Sequence, residues 1–429
     1  MELEFPKVFL WGASTSAHQV EGGTTNDWTE WEKANAERLA ARAAKRAEPW
    51  PDYILQNYPN PLQEENYISG RACDHYNRFR EDFDIAKSLC HNAHRFSIEW
   101  SRIEPEEGKF DAKEIEHYRE VIKSLRERGM EPFVTLWHWT NPIWIGKMGA
   151  WGNKDTVKYF LRYVSRIFNE YKDLVKFWMP LNEPGTEVSY GYLFGKQPPG
   201  FKSKVIANAA FKNLMKAQKD TYELAKSVSR DFQVGCSHFM FYQRPYNKLP
   251  WNVLAYKIMD YIADRRFFKV FRDSCDFFGI QYYQTFFANI KLGGRYLGIL
   301  ENKEIGEWRN DLGWQIFPEG IYYVVKKAAK YGKPIYITEN GLPDARDVHR
   351  ERFIKEHLKF LHKAITEGID IRGYFYWSLL DNFEFVEMRG FWPRFGLVEV
   401  DYKTMERKIR PSAWEYAKIC KNNSLEIDA

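Results

Sequence analysis

The chain has 429 residues, with 63 Lys and Arg against 58 Asp and Glu for a net charge of +5, and no long block of one sign. That balance excludes the charged tracts expected of a protein that binds nucleic acid or an acidic surface. The length passes the roughly 250–300 residues at which single cores usually stop growing, so two domains or one large barrel with insertions fit it.

The N-terminus, MELEFPKVFLWG, lacks a basic stretch followed by an apolar one, so no signal peptide is expected. No window approaches 18 consecutive apolar residues, which argues against a membrane span. Eight short apolar runs follow in order: KVFLWGAS (7–14), AHRFSIEW (93–100), EPFVTLWHW (131–139), VKFWMPLNE (175–183), QVGCSHFM (233–240), DFFGIQYY (276–283), PIYITENG (334–341) and GYFYWSLLD (373–381). Most are continuously apolar, as strands buried on both faces are. Amphipathic segments lie between them. KEIEHYREVIKSLRERG (113–129) puts Ile115, Tyr118, Val121, Ile122 and Leu125 on one stripe and stops at Gly129. PEGIYYVVKKAAKYG (318–332) opens on Pro318 and closes on Gly332.

Strands alternating with helices predict an α/β protein, a (β/α)₈ barrel, as one domain over 1–429. Two stretches interrupt the rhythm. Residues 33–70 begin as an Ala/Arg/Lys-rich helical run and continue as a Pro/Asn-rich loop, read as an insertion at the barrel mouth. Residues 241–272 and 284–312 are long excursions around the sixth strand. The five cysteines, Cys73, Cys90, Cys236, Cys275 and Cys420, are odd in number and show no CxxC spacing. They read as reduced thiols of a cytoplasmic protein.

In barrels of this kind the reactive face lies at the C-terminal ends of the strands. The polar and aromatic residues collected there are Gln19, Arg95, His138, Asn182, Glu183, Tyr283, Glu339, Trp377 and Glu384. Two are glutamates closing apolar runs, FWMPLNE and PIYITE, from the fourth and seventh strands. A lone Asn-Glu-Pro is equally a helix N-cap followed by a loop proline, and a lone Thr-Glu-Asn-Gly equally a turn. Burying a carboxyl without a partner is costly, so two at matching strand ends point to shared use. Paired carboxyls suit acetal cleavage, in which one protonates the departing oxygen and the other attacks the anomeric carbon or activates water. His138 between Trp137 and Trp139 suits a hydroxyl ligand, and aromatic faces suit pyranose C–H faces. Arg95 is either a core ion-pair partner or the group that keeps a carboxylate ionised, and Trp377 is otherwise a core residue. No HExxH and no cluster with ligand spacing occurs, so no metal is expected.

Several motifs recur in a known order: FLWGASTSAHQVEG (9–22), ACDHYNRFREDF (72–83), HRFSIEWSRIEP (94–105), PFVTLWHW (132–139), LNEP (181–184), DFFGIQYY (276–283), GWQIFPEG (313–320), YITENG (336–341), YFYWSLLDNFEF (374–385) and RFGLVEVDY (394–402). Over nearly its whole length the chain resembles glycoside hydrolase family 1, the β-glucosidase and β-glycosidase family. The resemblance implies a (β/α)₈ barrel, no cofactor, and a retaining, exo-acting β-glycosidase. Its partners would be small β-glycosides or oligosaccharides, and self-association is left open. It implies that Glu183 is the acid/base and Glu339 the nucleophile, with Arg95 and Tyr283 supporting the nucleophile. Gln19, His138, Trp139, Asn182, Tyr283, Trp377 and Glu384 would hold the sugar, Asn182 at the 2-hydroxyl.

Three departures stand out. Phe385 replaces the tryptophan usual after the outer glutamate, keeping an apolar wall and losing an N–H. The segment 386–396 is longer than usual, with Trp392 expected to refill that space. Gln281 stands where the family has asparagine. The serine, lysine and tyrosine of the family's 6-phospho-glycosidases are not evident around 381–396, so a neutral terminal sugar is expected: glucose first, with galactose, fucose or mannose as alternatives. The rival readings are a transglycosidase using the same intermediate and a sugar-binding barrel without hydrolysis.

Overall fold

The computed structural model describes residues 2–290, 297–300, 308–385 and 389–427. Parts of the 284–312 excursion and the first three residues of 386–396 therefore lie outside the described residues. Eight parallel strands close into a barrel: β1 (Leu10–Ser14), β2 (Ala93–Ser97), β3 (Glu131–Thr135), β4 (Phe177–Met179), β5 (Gln233–Phe239), β6 (Phe277–Gln281), β7 (Ile335–Asn340) and β8 (Ile371–Trp377). Each pairs with the next in sequence, and β8 returns to β1. The expected (β/α)₈ architecture is thus present, with strands shorter than the apolar runs. β4 is only three residues long, so Asn182 and Glu183 lie beyond it.

The barrel interior is filled by aromatic rings. Phe133, Phe177, Phe277, Tyr336 and Phe375 pack together, with Phe133 stacked on Phe177 at 4.2 Å between ring centres. Each ring comes from earlier in its strand than the polar residue that strand delivers, so the polar residues gather above an apolar plug.

Helix α1 (Asp27–Ala44) starts six residues before the expected run at 33. The cause is local: Asn26 accepts from the Thr29 N–H while the Thr29 hydroxyl oxygen accepts from the Asn26 N–H, a capping box. The rest of that excursion contributes Asn66, whose Oδ1 accepts from the backbone N–H groups of Phe391 and Trp392. Helix α2 (Ala112–Glu127) is capped by Asp111 and buries the predicted stripe. Gly129 follows it with φ +70°, a conformation that costs glycine little. Helix α3 (Glu319–Ala329) has Pro318 immediately before it. Around β6, the strand Tyr242–Pro245 runs parallel to Thr285–Ile290, which pairs antiparallel with Leu297–Leu300. The five cysteines are all free, four of them buried. No described helix is long and apolar enough to cross a membrane.

Candidate active site

Four adjacent strands carry a row of polar side chains across the barrel mouth. Asn182, beyond β4, bridges to Ser237 of β5. Gln281 closes β6 and lies directly opposite Glu339 of β7 in register. The β7 ladder is irregular between Ile337 and Glu339, and such a bulge re-aims the side chain that follows it. From the opposite wall Arg95 rises from β2, fully buried. It donates from Nη1 to Glu339 Oε1, from Nη2 to Asn182 Oδ1 at 2.7 Å, and from Nε to Thr135 Oγ1 at 3.1 Å. The Tyr283 hydroxyl donates to Glu339 Oε2 at 2.8 Å, and Gln281 Nε2 lies 2.6 Å from Glu339 Oε1. Burial pushes the Glu339 carboxyl above its usual range, and Arg95 and the Tyr283 hydroxyl pull it back.

Glu183 is delivered differently. The chain leaves β4, Asn182 N–H donates to Trp137 O, and Glu183 N–H donates to Ser237 O at 3.0 Å. Glu183 then adopts φ +40°, and Pro184 opens a short helix, Pro184–Glu187. A left-handed conformation at a non-glycine residue is sparsely populated and persists where the surroundings enforce it. Burial, and then the nearby negative charge of Glu339, hold the Glu183 carboxyl well above its usual range. Glu339 differs in having the Arg95 guanidinium bonded to it, which favours its ionised form. Of this coupled pair, Glu183 is the one that keeps its proton.

Both glutamates line one pocket of 270 Å³. Gln19, His138, Trp139, Asn182, Tyr283, Trp377, Glu384 and Phe385 line it too, so nearly all the expected residues are brought together. Gln19 Nε2 donates to Phe383 O at 2.6 Å. Trp139, at φ +73°, donates its indole N–H to Asn182 O at 3.0 Å. His138 is held neutral by burial and by the charge of Arg95. With Asn182 Oδ1 facing Arg95, Asn182 Nδ2 donates to His138 Nε2 at 3.0 Å, which places the ring proton on Nδ1. Trp377 donates to Glu384 Oε1 at 3.3 Å, and burial pushes Glu384 up to about 8. Arg95 acts from behind the wall through Glu339 and Asn182.

Trp392 is the exception. It does not line this pocket; it packs edge-on against Trp50 at 5.0 Å and borders a neighbouring cavity. The two backbone N–H groups that Asn66 accepts hold its loop there. The space beside Phe385 is taken instead by Trp28 at 4.3 Å and by the stacked His18 ring at 5.4 Å.

The sequence reading missed the apolar outer walls: Tyr190, Phe239, Phe241, Phe286 and Trp314 also line the pocket. Phe241 and Phe286 come from the long excursions, where aromatic richness was the available signal and the loop path was not; Tyr190 follows β4, Phe239 ends β5 and Trp314 precedes α3. Ser237, the central hydroxyl of the polar row, had no local signal at all.

Comparison with known proteins agrees with the barrel fold. The model of glycosyl hydrolase family 1 matches residues 1–271 and 260–425. Beta-glucosidase A of Thermotoga maritima is 31% identical over 99% of both chains. A beta-glycosidase structure from Pyrococcus horikoshii is 35% identical, covers 100% of this chain and 97% of its own, and superposes with a TM-score of 0.87. The Thermotoga maritima beta-glucosidase in complex with glucoimidazole is 30% identical, with coverage of 98% and 99% and a TM-score of 0.84. The chain belongs to glycosyl hydrolase family 1.

Proposed function

We propose that the protein is a retaining, exo-acting β-glycosidase that removes the terminal non-reducing β-linked sugar, glucose first, from small glycosides or oligosaccharides. Its single domain, 1–429, acts without a cofactor and in the cytoplasm. One observation carries the reading: two buried glutamates line one pocket, and the Arg95 guanidinium is bonded to Glu339. Relatives described as β-glucosidases, and one structure described as a glucoimidazole complex, support it.

In the first step Glu339 attacks the anomeric carbon as its bond to the leaving oxygen breaks, and that oxygen takes the proton of Glu183. In the second, Glu183 removes a proton from water, which attacks the anomeric carbon and releases Glu339. Two carboxyls with separated proton affinities divide these roles. Asn182 presents Nδ2–H to the sugar because Arg95 and Ser237 occupy its oxygen. Glu384, holding a proton near neutrality, can donate as well as accept at the outer hydroxyls.

The test is trapping by a 2-deoxy-2-fluoro-β-glucoside with a good leaving group, followed by peptide mass mapping. The adduct is expected on Glu339; an adduct on another residue overturns the assignment.

A further inference from the structure

Gln281 was singled out in the sequence only as a departure from the family's asparagine. It is fully buried, and its Nε2 lies within hydrogen-bond distance of three acceptors: Glu339 Oε1 at 2.6 Å, Ser237 Oγ at 2.6 Å and Asn182 Oδ1 at 2.9 Å. The orientation of the amide follows from donor-only Arg95. Arg95 Nη2 at 2.7 Å requires an oxygen on Asn182; that oxygen and the Glu339 carboxylate both face the Gln281 amide, which therefore turns its NH₂ toward them. Rotating the amide would set its oxygen against two acceptors.

The two amide protons can be allotted. Asn182 Oδ1 is already served by Arg95 Nη2 and by the Ser237 hydroxyl at 2.8 Å. Gln281 therefore gives one proton to Glu339 Oε1 and the other to Ser237 Oγ. Glu339 Oε1 is then held by two N–H donors, Arg95 and Gln281, neither of which lines the pocket, whereas the Oε2 donor, Tyr283, does.

Resting on the glycosidase reading above, we propose that Gln281 is a positioning residue for the nucleophile: it fixes Glu339 Oε1 against the barrel, so that Oε2 is the atom that attacks. The bond from Oε2 to the anomeric carbon forms as the leaving oxygen departs with the Glu183 proton, and Oε1 becomes the ester carbonyl, still accepting from Arg95 and Gln281. Through Ser237 the same amide ties the nucleophile to Asn182, the residue assigned to the sugar's 2-hydroxyl.

The test compares wild type with Gln281→Leu, which keeps the bulk and loses the N–H, and Gln281→Asn, which keeps the amide and withdraws it. Carbon-13 NMR of protein labelled at glutamate carboxyls follows Glu339, assigned with Glu339→Gln, while Arg95, Tyr283, Glu183 and Glu384 around it stay in place. The Leu variant is expected to raise the titration midpoint of Glu339 and to lower kcat on 4-nitrophenyl β-glucoside about 10- to 100-fold, with KM little changed. The Asn variant should shift both in the same direction by less. A purely structural role would lower thermal stability and leave the Glu339 midpoint in place. A folded Leu variant with the wild-type midpoint and kcat overturns the proposal; if Leu does not fold, an unshifted Asn variant does so. The NMR titration needs no turnover, so wild-type protein that cleaves no aryl glycoside would sink the glycosidase reading separately.

Discussion

Tyr283 donates its hydroxyl to Glu339 on Oε2, the oxygen that Arg95 leaves open. The carboxylate is thereby held from both sides, and the donor on the pocket side is a neutral one. Removing that hydroxyl in Tyr283→Phe makes Glu339 bind its proton more tightly. Attack in the proposed mechanism requires the ionised form, so the acid limb of kcat/KM should move to higher pH, with a loss of about 10- to 100-fold at the optimum. An unmoved acid limb would separate Tyr283 from the nucleophile.

In the proposed mechanism, replacing Glu183 by Ala removes the proton donor and leaves Glu339 in place. Glycosides with poor leaving groups should lose about 10²–10⁴-fold in kcat, and dinitrophenyl glycosides, which depart without a proton, far less. Equal losses on both classes would exclude an acid role.

Glu384 should make stability fall as pH rises. Burial lifts its carboxyl from 4.5 to about 8, so between those values the folded protein keeps a proton that the unfolded chain has released. The contribution is fully present below about pH 4.5 and is lost as pH rises through 8. Glu384→Gln, which cannot ionise, should melt at a higher temperature than wild type at pH 9 and at a similar temperature at pH 4. Matching curves at both values would contradict the shift.

Phe133 sits among four other rings inside the barrel, touching Phe177, Phe277, Tyr336 and Phe375 at 4.2–6.0 Å between centres. Phe133→Ala leaves a cavity that the closed strands cannot collapse, at a cost of about 3–5 kcal/mol in denaturant unfolding. A loss under 1 kcal/mol would mean the rings repack.

The barrel was legible in the sequence because its signals are local. Buried parallel strands are continuously apolar, helices repeat near every fourth residue, and both patterns lie within a few residues of one another. Glu183 and Glu339 were legible for the same reason, since a carboxyl ending an apolar run is conspicuous. Asn26 and Thr29, which begin the first long helix early, also carried a readable capping signal that the composition of residues 33–48 obscured.

What folding decided is what depends on register and on loop paths between distant segments. Gln281 meets Glu339 because β6 and β7 pair at those residues, 58 positions apart in the chain. Ser237 joins Asn182 to that pair only because β5 stands between β4 and β6. Trp392 faces Trp50 rather than the pocket of Glu183 and Glu339 because Asn66, far upstream, holds its loop by two backbone hydrogen bonds. Apolar periodicity specifies which face of a strand is buried, whereas side-chain partners are set by how strands align, and that alignment is a property of the closed barrel.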